Sequence, residues 1–280
     1  MIEIRNLTKK FDNFTAVDSL NLKIETGEFF GLLGPNGAGK TTTISLLSTL
    51  LLPSQGEILI DGQTLNRNRP DLKRKISVIT QEYSMRQDMN MDEIMEYQGR
   101  LYFMPQKEIR RRTEELLEFC DLLKFRKRTV RKLSGGMKRK LMVCRALLTD
   151  PEILLLDEPT AGMDALSRRQ MWNLLRQLND KNLTILLTTH YMEEAQSLCG
   201  RVALMDHGKL EEVSSPSALI ESLGSYAVDE PSPAGTRSHY FHTRQEAIDY
   251  LSGLSGQASL RETTLEDVFV ERAGSHLSPS

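Results

Sequence analysis

One octapeptide near the N-terminus constrains this chain more than any other feature. Residues 34–41, Gly-Pro-Asn-Gly-Ala-Gly-Lys-Thr, satisfy the pattern G-x-x-x-x-G-K-[ST] between a strand-like segment, Glu28–Leu33, and a helical one, Lys40–Leu52. The glycines let several backbone N–H groups point inward at a phosphate, and the helix N-terminus adds partial positive charge. Lys40 can then reach the outer phosphates of a nucleoside triphosphate, and Thr41 offers a hydroxyl to Mg²⁺. The pattern predicts a nucleoside triphosphatase and leaves its kind open.

A second segment, far along the chain, ends in two carboxylates. Ile153–Leu156 is apolar enough for a buried strand, and Asp157 and Glu158 follow it directly. We expect Asp157 to hold Mg²⁺, directly or through water, and Glu158 to polarise the attacking water. The residues of the first motif that are expected to contact the nucleotide are Asn36, Gly37, Ala38, Gly39, Lys40, Thr41 and Thr42.

Hydrophobic patterning predicts an α/β fold with a largely parallel sheet. Helical segments such as Ser134–Leu148 and Leu166–Leu178 alternate with strand-like segments such as Leu183–Thr189 and Val202–Met205. Strands separated by helices of this length pair in parallel and are covered on both faces. A longer helical stretch is expected over Met91–Leu123.

Composition sets the broad class of protein. The 280 residues suffice for one large domain and a small one, or for two domains. The net charge of −2 excludes a general polyanion binder, and no apolar run approaches the ~20 residues of a membrane span. Residues 1–10 lack the apolar core of a signal peptide, and the three cysteines are sparse and widely spaced. We therefore expect a cytosolic protein with reduced thiols.

Six motifs in a fixed order identify a family resemblance. The chain resembles the ATP-binding cassette (ABC) ATPases over roughly residues 1–222. The motifs are the phosphate-binding Gly34–Thr41, Gln81, the LSGG tetrapeptide Leu133–Gly136, the LLLDEP hexapeptide Leu154–Pro159, Ala161–Asp164, and His190 after Thr188-Thr189.

The resemblance implies which residues contact the adenosine part of the nucleotide and which ones bind the metal. Phe11 matches the aromatic position that stacks on adenine, where Tyr is usual. Val17 matches a small apolar contact on the nucleoside. Gln81 matches a glutamine that ligates Mg²⁺ together with Thr41 and Asp157, and it joins Glu158 and His190 in the implied catalytic set.

The remaining matches imply a dimer. Ser134, Gly135 and Gly136 match the signature that binds the γ-phosphate of ATP held by the opposite subunit, and Asp164 matches an aspartate of the loop at the dimer interface. His190 matches the histidine that contacts the γ-phosphate and the catalytic carboxylate. Two copies related by a two-fold axis would close two composite ATP sites, both competent for hydrolysis. The partner cassette is expected to be an identical chain or a paralogue.

The family fold that this implies is an α/β P-loop nucleotide-hydrolase fold. It has a mixed, mainly parallel core sheet, an antiparallel β subdomain, and a helical subdomain at about residues 82–133. We expect an ATP-binding domain over 1–222 and a small α+β extension over 223–280 that serves in dimerisation or regulation. Lys209 is the last lysine, and the extension is predicted to run strand, strand, helix (Arg244–Leu254), strand, helix (Leu265–Glu271).

The branch of the family is inferred from the length of one segment, from the number of cassettes in the chain, and from less specific motifs. The 53 positions from Gln81 to Ser134 are too few for the coiled coil of repair-type members, and translation-type members carry two cassettes. Met137 after LSGG and Thr264–Phe269 resemble exporters of the daunorubicin-resistance and nodulation-factor type, which pair with a separate six-span permease. The protein would then sit on the inner face of the membrane. An importer subunit and a soluble non-transport ATPase remain alternatives.

Two further features admit two interpretations each. Lys107–Arg145 carries fourteen basic and five acidic side chains, but few aromatics are interleaved, so we expect no nucleic-acid partner. Five of the twelve methionines, Met85, Met89, Met91, Met95 and Met104, follow Gln81 closely. They either fill the core or line a groove for a helix of the permease.

Overall fold

The computed structural model describes residues 1–82, 85–232, 235–254 and 256–276. These residues form two compact units. The first consists of Met1–His190 and Ala203–Glu212, and the second of Tyr191–Val202 and the described residues from Val213 onward. The second unit thus takes in the expected extension and further residues before it, and the domain boundary after residue 222 stays a prediction.

The elements alternate as the sequence predicts. In chain order the first are β1 (Ile2–Phe11), β2 (Phe14–Ile24), β3 (Phe29–Leu33), α1 (Lys40–Leu47), β4 (Gln55–Ile60), β5 (Gln63–Thr64), α2 (Pro70–Arg74), β6 (Ile76–Ile79), α3 (Met91–Leu101) and α4 (Gln106–Phe119). Those that follow are α5 (Gly135–Leu147), β7 (Ile153–Asp157), α6 (Ala165–Asn179), β8 (Thr184–Thr189), α7 (Met192–Leu198), β9 (Arg201–Asp206), β10 (Lys209–Ser214), α8 (Pro216–Leu223), β11 (Tyr226–Ser232), β12 (Gly235–Phe241), α9 (Arg244–Gly253), β13 (Ser259–Glu262) and α10 (Leu265–His276).

The central sheet has the order β10-β9-β3-β8-β7-β6. The pairs β3–β8, β8–β7 and β7–β6 are parallel, which confirms the predicted mainly parallel core sheet. Every residue of β3, β7 and β8 is buried, as expected for strands covered on both faces. Because these strands are parallel, their carboxyl ends meet at one edge of the sheet.

A second, antiparallel sheet has the order β2-β1-β4-β5, as the predicted antiparallel β subdomain requires. β1 pairs with β2 from Ile2↔Ile24 to a tight turn at Phe11↔Phe14, and with β4 from Ile2↔Ile60. Alternate apolar residues of β1, β2 and β4 join the same hydrophobic core as β3. The predicted single strand over Gly56–Leu65 is interrupted by a turn at Asp61 and Gly62, both with positive φ.

Helix α1 is shorter than the prediction of Lys40–Leu52. It ends at Leu47, because Thr49 adopts φ 60°, a left-handed conformation that terminates helices. Leu50 and Leu52, which the pattern assigns to the helix, lie outside it and are 65% and 47% exposed. An apolar run alone therefore placed the helix end five residues too late.

The predicted helical stretch Met91–Leu123 consists of two helices. An Asn90–Glu93 capping box begins α3, and Phe103, with φ 57°, separates it from α4. Gly99 allows close packing of the two helices, since a Cβ there would lie 2.5 Å from the Ile109 side chain. Both helices fall within the range expected for a helical subdomain, whose bounds stay a prediction.

The methionine-rich segment mainly fills the core. Met85, Met91 and Met95 are buried, whereas Met89 and Met104 are half-buried. Among the described residues of this region, the large apolar side chains that are exposed are instead Tyr97, Leu101 and Phe103. The groove-lining interpretation is therefore wrong for the three buried methionines.

The second unit contains a three-stranded antiparallel sheet of order β12-β11-β13. Its strands, α9 and α10 confirm the predicted order of the extension, and α9 begins with a Thr243–Glu246 capping box. Arg261 on β13 bonds to Asp229 on β11 and to Asp267 on α10, each at 2.7 Å. The sequence pattern did not predict α2, β10 or α8. Among the described residues, no helix has both the length and the hydrophobicity to cross a membrane.

Candidate functional site

The phosphate loop (Gly34–Thr41) leaves the end of β3 and runs into α1. Gly34, Gly37 and Gly39 all have positive φ, a conformation that side chains other than glycine rarely adopt. A Cβ on Gly34 would lie 2.1 Å from the Met205 carbonyl oxygen, and one on Gly39 would lie 2.4 Å from that of Ala16. The loop therefore has the shape that its glycines predict.

Lys40 is the first residue of α1 and is buried at 6% exposure. Its Nζ donates to the Gly34 and Pro35 carbonyl oxygens at 2.8 and 2.9 Å. Burial lowers the pKa of this ammonium from its ordinary value, while the Glu158 and Asp157 carboxylates act to raise it. A cation folded over the loop in this way can exchange its carbonyl partners for phosphate oxygens.

Asp157 is the last residue of β7, and its buried carboxylate faces the phosphate loop. Its Oδ1 accepts hydrogen bonds from the Thr41 hydroxyl at 3.2 Å and the Thr188 hydroxyl at 2.5 Å. Thr188 lies opposite Asp157 in the parallel register of β7 and β8. The sequence motifs do not single out Thr188, although a hydroxyl two residues before His190, in a strand that borders β7, is a signal for this contact.

The oxygen atoms around Asp157 fit a hard cation. Mg²⁺ prefers oxygen ligands, and the Thr41 hydroxyl oxygen lies 3.2 Å from a carboxylate oxygen of Asp157. With the Gln81 amide oxygen, these groups would hold Mg²⁺, which neutralises phosphate charge when bound. Within the described ranges, no group of three or more His, Cys, Asp or Glu residues forms a metal site made by the protein alone.

Glu158 follows Asp157 and turns away from the strand. It has φ 48°, and its N–H donates to the Thr188 carbonyl oxygen at 3.0 Å. Its carboxylate lies 3.0 Å from His190 Nδ1 and accepts from Gln81 Nε2 at 3.4 Å. Strained backbone of this kind persists at functional sites, where the surrounding structure holds it. The three residues predicted to be catalytic thus lie together at the carboxyl edge of the sheet.

The signature residues (Ser134, Gly135, Gly136) form a second cluster with Asp164. Ser134 caps α5 by accepting from the Met137 N–H, and Asp164 caps α6 by accepting from the N–H and hydroxyl of Ser167. Those two bonds lower the pKa of the Asp164 carboxyl. A Cβ on Gly136 would lie 3.2 Å from the Ser167 hydroxyl, so the starts of α5 and α6 are adjacent.

The predicted adenine contacts divide between surface and core. Phe11 lies at the β1–β2 turn, is 41% exposed, and has the Lys9 ammonium 4.9 Å from its ring centroid. Val17 is fully buried in the core, and this position does not support its predicted contact with the nucleoside. Asn36 and Gly37 are exposed on the phosphate loop, Ala38 is buried, and Thr42 is half-buried in α1.

Comparisons with known proteins identify the family of this chain. The family model described as "ABC transporter" matches residues 17–161. The Nod factor export ATP-binding protein I of Cupriavidus metallidurans is 36% identical over 296 aligned positions, covering 98% of this chain and 97% of that protein. The linearmycin resistance ATP-binding protein LnrL of Bacillus subtilis is 34% identical and covers 84% of this chain and 76% of that protein.

A solved structure shows the same fold. The dimeric post-hydrolysis state of the ATP-binding cassette MJ0796, bound to ADP and Pi, superposes with a TM-score of 0.68 at 28% identity. It covers 77% of this chain and 98% of the MJ0796 chain. The family match, the relatives and the shared fold agree with the motifs, and the chain belongs to the ABC transporter family of ATP-hydrolysing subunits.

Proposed function

We propose that this chain binds ATP and Mg²⁺, dimerises around two ATP molecules, and drives export through a separate membrane permease. The observation that carries the proposal is the assembly of Lys40, Asp157, Glu158, His190 and Gln81 at one edge of the sheet. Such an assembly holds phosphates on one side and places a carboxylate beside them.

The proposed reaction is in-line attack of water on the γ-phosphorus of ATP. Glu158 accepts a proton from the attacking water, the bond from the γ-phosphorus to the bridging oxygen breaks, and ADP leaves with that oxygen. His190, 3.0 Å from Glu158, orients the carboxylate and is placed to contact the γ-phosphate. Lys40 balances negative charge on the outer phosphates, and Asp157 and Thr41 hold the metal.

The proposed dimer follows from the two clusters in one chain. The phosphate loop and Glu158 form one cluster, and the signature residues with Asp164 form the other. A two-fold axis brings the first cluster of each copy against the second cluster of its partner, so one self-complementary interface closes two sites. The dimeric state of the MJ0796 cassette supports this arrangement.

A permease is proposed because the described residues offer an exposed apolar face. On α3, Tyr97 and Leu101 are one helical turn apart and 53% and 55% exposed, and Phe103 beyond them is 87% exposed. Leu50 shares a cavity of about 280 Å³ with Tyr102 and Gln98, so the loop after α1 lies beside the end of α3. An apolar helix of the permease would bury these side chains.

The relatives favour export. One is named for Nod factor export and the other for linearmycin resistance. The predicted location is therefore the inner face of the membrane, through the permease. An importer subunit and a soluble ATPase remain the alternatives, and the role of residues 223–280 in dimerisation or regulation stays a prediction.

Reconstitution separates these alternatives. The chain would be co-purified with its co-expressed permease and placed in proteoliposomes with the ATPase outside, and Nod factor and linearmycin would be the first compounds tested. ATP-dependent accumulation in the lumen is expected for an exporter, whereas release from preloaded vesicles would indicate an importer. ATP hydrolysis with no permease binding and no transport would support the soluble ATPase instead.

A further inference from the structure

Arg139 is the largest side chain that the described part of the chain buries completely, at 1% exposure. It lies in the second turn of α5, three residues after Gly136. Its Nη1 donates to the Thr80 carbonyl oxygen at 2.8 Å, and its Nη2 donates to the Gln81 carbonyl oxygen at 3.1 Å. Nη1 also lies 3.9 Å from the Met142 sulfur.

Placing a guanidinium in this buried position has an unfavourable desolvation free energy, which its hydrogen bonds must offset. Burying a charge costs free energy, and the hydrogen bonds from Arg139 to two backbone carbonyls offset part of that cost. An uncharged side chain would fill the same space at a lower cost of desolvation. The guanidinium fork is, however, suited to holding two neighbouring carbonyls in a fixed orientation.

The two carbonyls belong to the point at which the chain leaves the central sheet. β6 ends at Ile79, and Thr80 and Gln81 follow. The Gln81 side chain then reaches Glu158, with Nε2 at 3.4 Å from Oε2. A shift of the backbone at Thr80–Gln81 would therefore move the amide away from the catalytic carboxylate.

Arg139 joins the Thr80–Gln81 backbone to helix α5, and the signature residues lie at the start of that helix. Ser134 caps the same helix, and Gly136 lies within its first turn. A second bond, from the Ser77 hydroxyl to the Ala146 carbonyl oxygen at 2.8 Å, fastens the far end of α5 to β6. The helix that carries the signature residues is thus fixed to the strand that precedes Gln81.

We propose that Arg139 is a positioning residue that ties the signature helix α5 to the backbone of Gln81 within one subunit. This inference rests on the proposed dimer, in which the signature of each subunit meets the ATP of its partner. ATP bound at the signature then sets the position of Gln81 in the other composite site. Arg139 links the two ATP sites of the dimer and contributes to cooperative hydrolysis.

The test compares Arg139→Gln and Arg139→Lys with Arg112→Gln in the full chain. Arg112 is the control, because it also bonds to two backbone carbonyls, those of Leu147 and Leu148 at the C-terminal end of α5, both at 2.8 Å, and it additionally pairs with Asp150 at 3.0 Å. ATPase rates are measured against ATP concentration, and melting temperatures are measured on the same samples.

With two sites, wild type is expected to show a Hill coefficient above 1. Arg139→Gln is expected to lower this coefficient to about 1 and kcat about tenfold, whereas ATP binding to the isolated subunit stays unchanged. Arg139→Lys should retain a higher kcat than Arg139→Gln, because it keeps the positive charge. Arg112→Gln should lower the melting temperature and keep the Hill coefficient.

A double-mutant cycle with Gln81→Ala tests whether Arg139 acts through Gln81. In the Gln81→Ala background, Arg139→Gln should cause little additional loss, because the residue that it positions is gone. Additive losses, or a Hill coefficient that Arg139→Gln leaves unchanged, would overturn the proposal. A wild type that hydrolyses ATP without dimerising would instead contradict the proposed dimer, which is a separate failure.

Discussion

Glu158 combines a strained backbone with two side-chain partners, and neither partner is adjacent in sequence. Its left-handed φ of 48° turns the carboxylate from the strand toward His190 and Gln81. Asp157, one residue earlier, is instead held by two hydroxyl groups, those of Thr41 on α1 and Thr188 on β8. Two neighbouring carboxylates thus have separate surroundings and, in the proposed mechanism, separate tasks.

Glu158→Gln is expected to bind ATP normally and to hydrolyse it about 10²–10⁴-fold more slowly, since an amide cannot accept the proton. The variant should also accumulate as an ATP-bound dimer. Steady-state ATPase assays and size exclusion with ATP check the two effects. A rate within tenfold of wild type would exclude Glu158 as the general base.

At the scale of elements, α3 has two apolar faces with different expected roles. Met91 and Met95 are fully buried, while Tyr97 and Leu101 are exposed on another face of the same helix. Met95→Ala is therefore expected to cost about 2–5 kcal/mol of the free energy of unfolding, because it leaves a cavity. Thermal and urea unfolding measure this change.

Leu101→Ser is the matched variant on the exposed face. It should change the free energy of unfolding by less than about 0.5 kcal/mol and should weaken binding to the permease. Pull-down of the co-expressed permease measures that binding, with basal ATPase as a control. Normal permease binding by a Leu101→Ser/Tyr97→Ser double variant would rule out this face as the docking surface.

In the second unit, Arg261 holds Asp229 on β11 and Asp267 on α10 to one strand, β13. Its bonds lower the pKa of the Asp229 carboxyl. Burial acts to raise the pKa of Asp267, but the bonds from Arg261 and Thr264 outweigh it and lower that pKa as well. Both carboxylates are thus more acidic in the folded protein than in an unfolded chain.

A lowered folded-state pKa gives stability that is present above the unfolded value, ~3.9, and is lost as pH falls below it. Amides of β11 and α10 should therefore lose protection from hydrogen exchange as pH falls from about 5 toward 3. Arg261→Met should weaken their protection already at neutral pH. Protection that is unchanged by both treatments would show that the network contributes nothing to this unit.

For the whole molecule, the proposed dimer predicts that each ATP site needs residues from both subunits. Lys40→Ala removes a contact within one subunit and should lose ATP affinity. Ser134→Arg removes a contact across the interface and should keep ATP binding but lose turnover. Each variant alone should be inactive.

Mixing the two variants should restore activity. A mixed dimer contains one site with both lesions and one with neither, so random pairing gives about one quarter of the wild-type rate if the sites work independently. Labelled subunits verify that mixed dimers form. No recovery in the presence of such dimers would contradict independently working composite sites.

Residue types and their spacing are enough to predict the phosphate loop, the strand that ends at Asp157 just before Glu158, and the mainly parallel sheet. These features depend on local residue types: glycines allow positive φ, and apolar runs of strand length must be buried. The order of strands and helices in residues 223–280 could be predicted for the same reason. The family resemblance added Gln81, His190 and the signature residues, which the structure places at a sheet edge and at the start of α5.

Several other features depend on how the chain packs in three dimensions. Leu50 and Leu52 are apolar but exposed, Val17 is fully buried, and three methionines fill the core. Thr188 and Arg139 acquire their roles from partners 31 and 58–59 residues away in the chain. The hydrophobicity of a side chain indicates that it favours burial. The packed structure determines which surface covers that side chain and which residues, distant in sequence, it contacts.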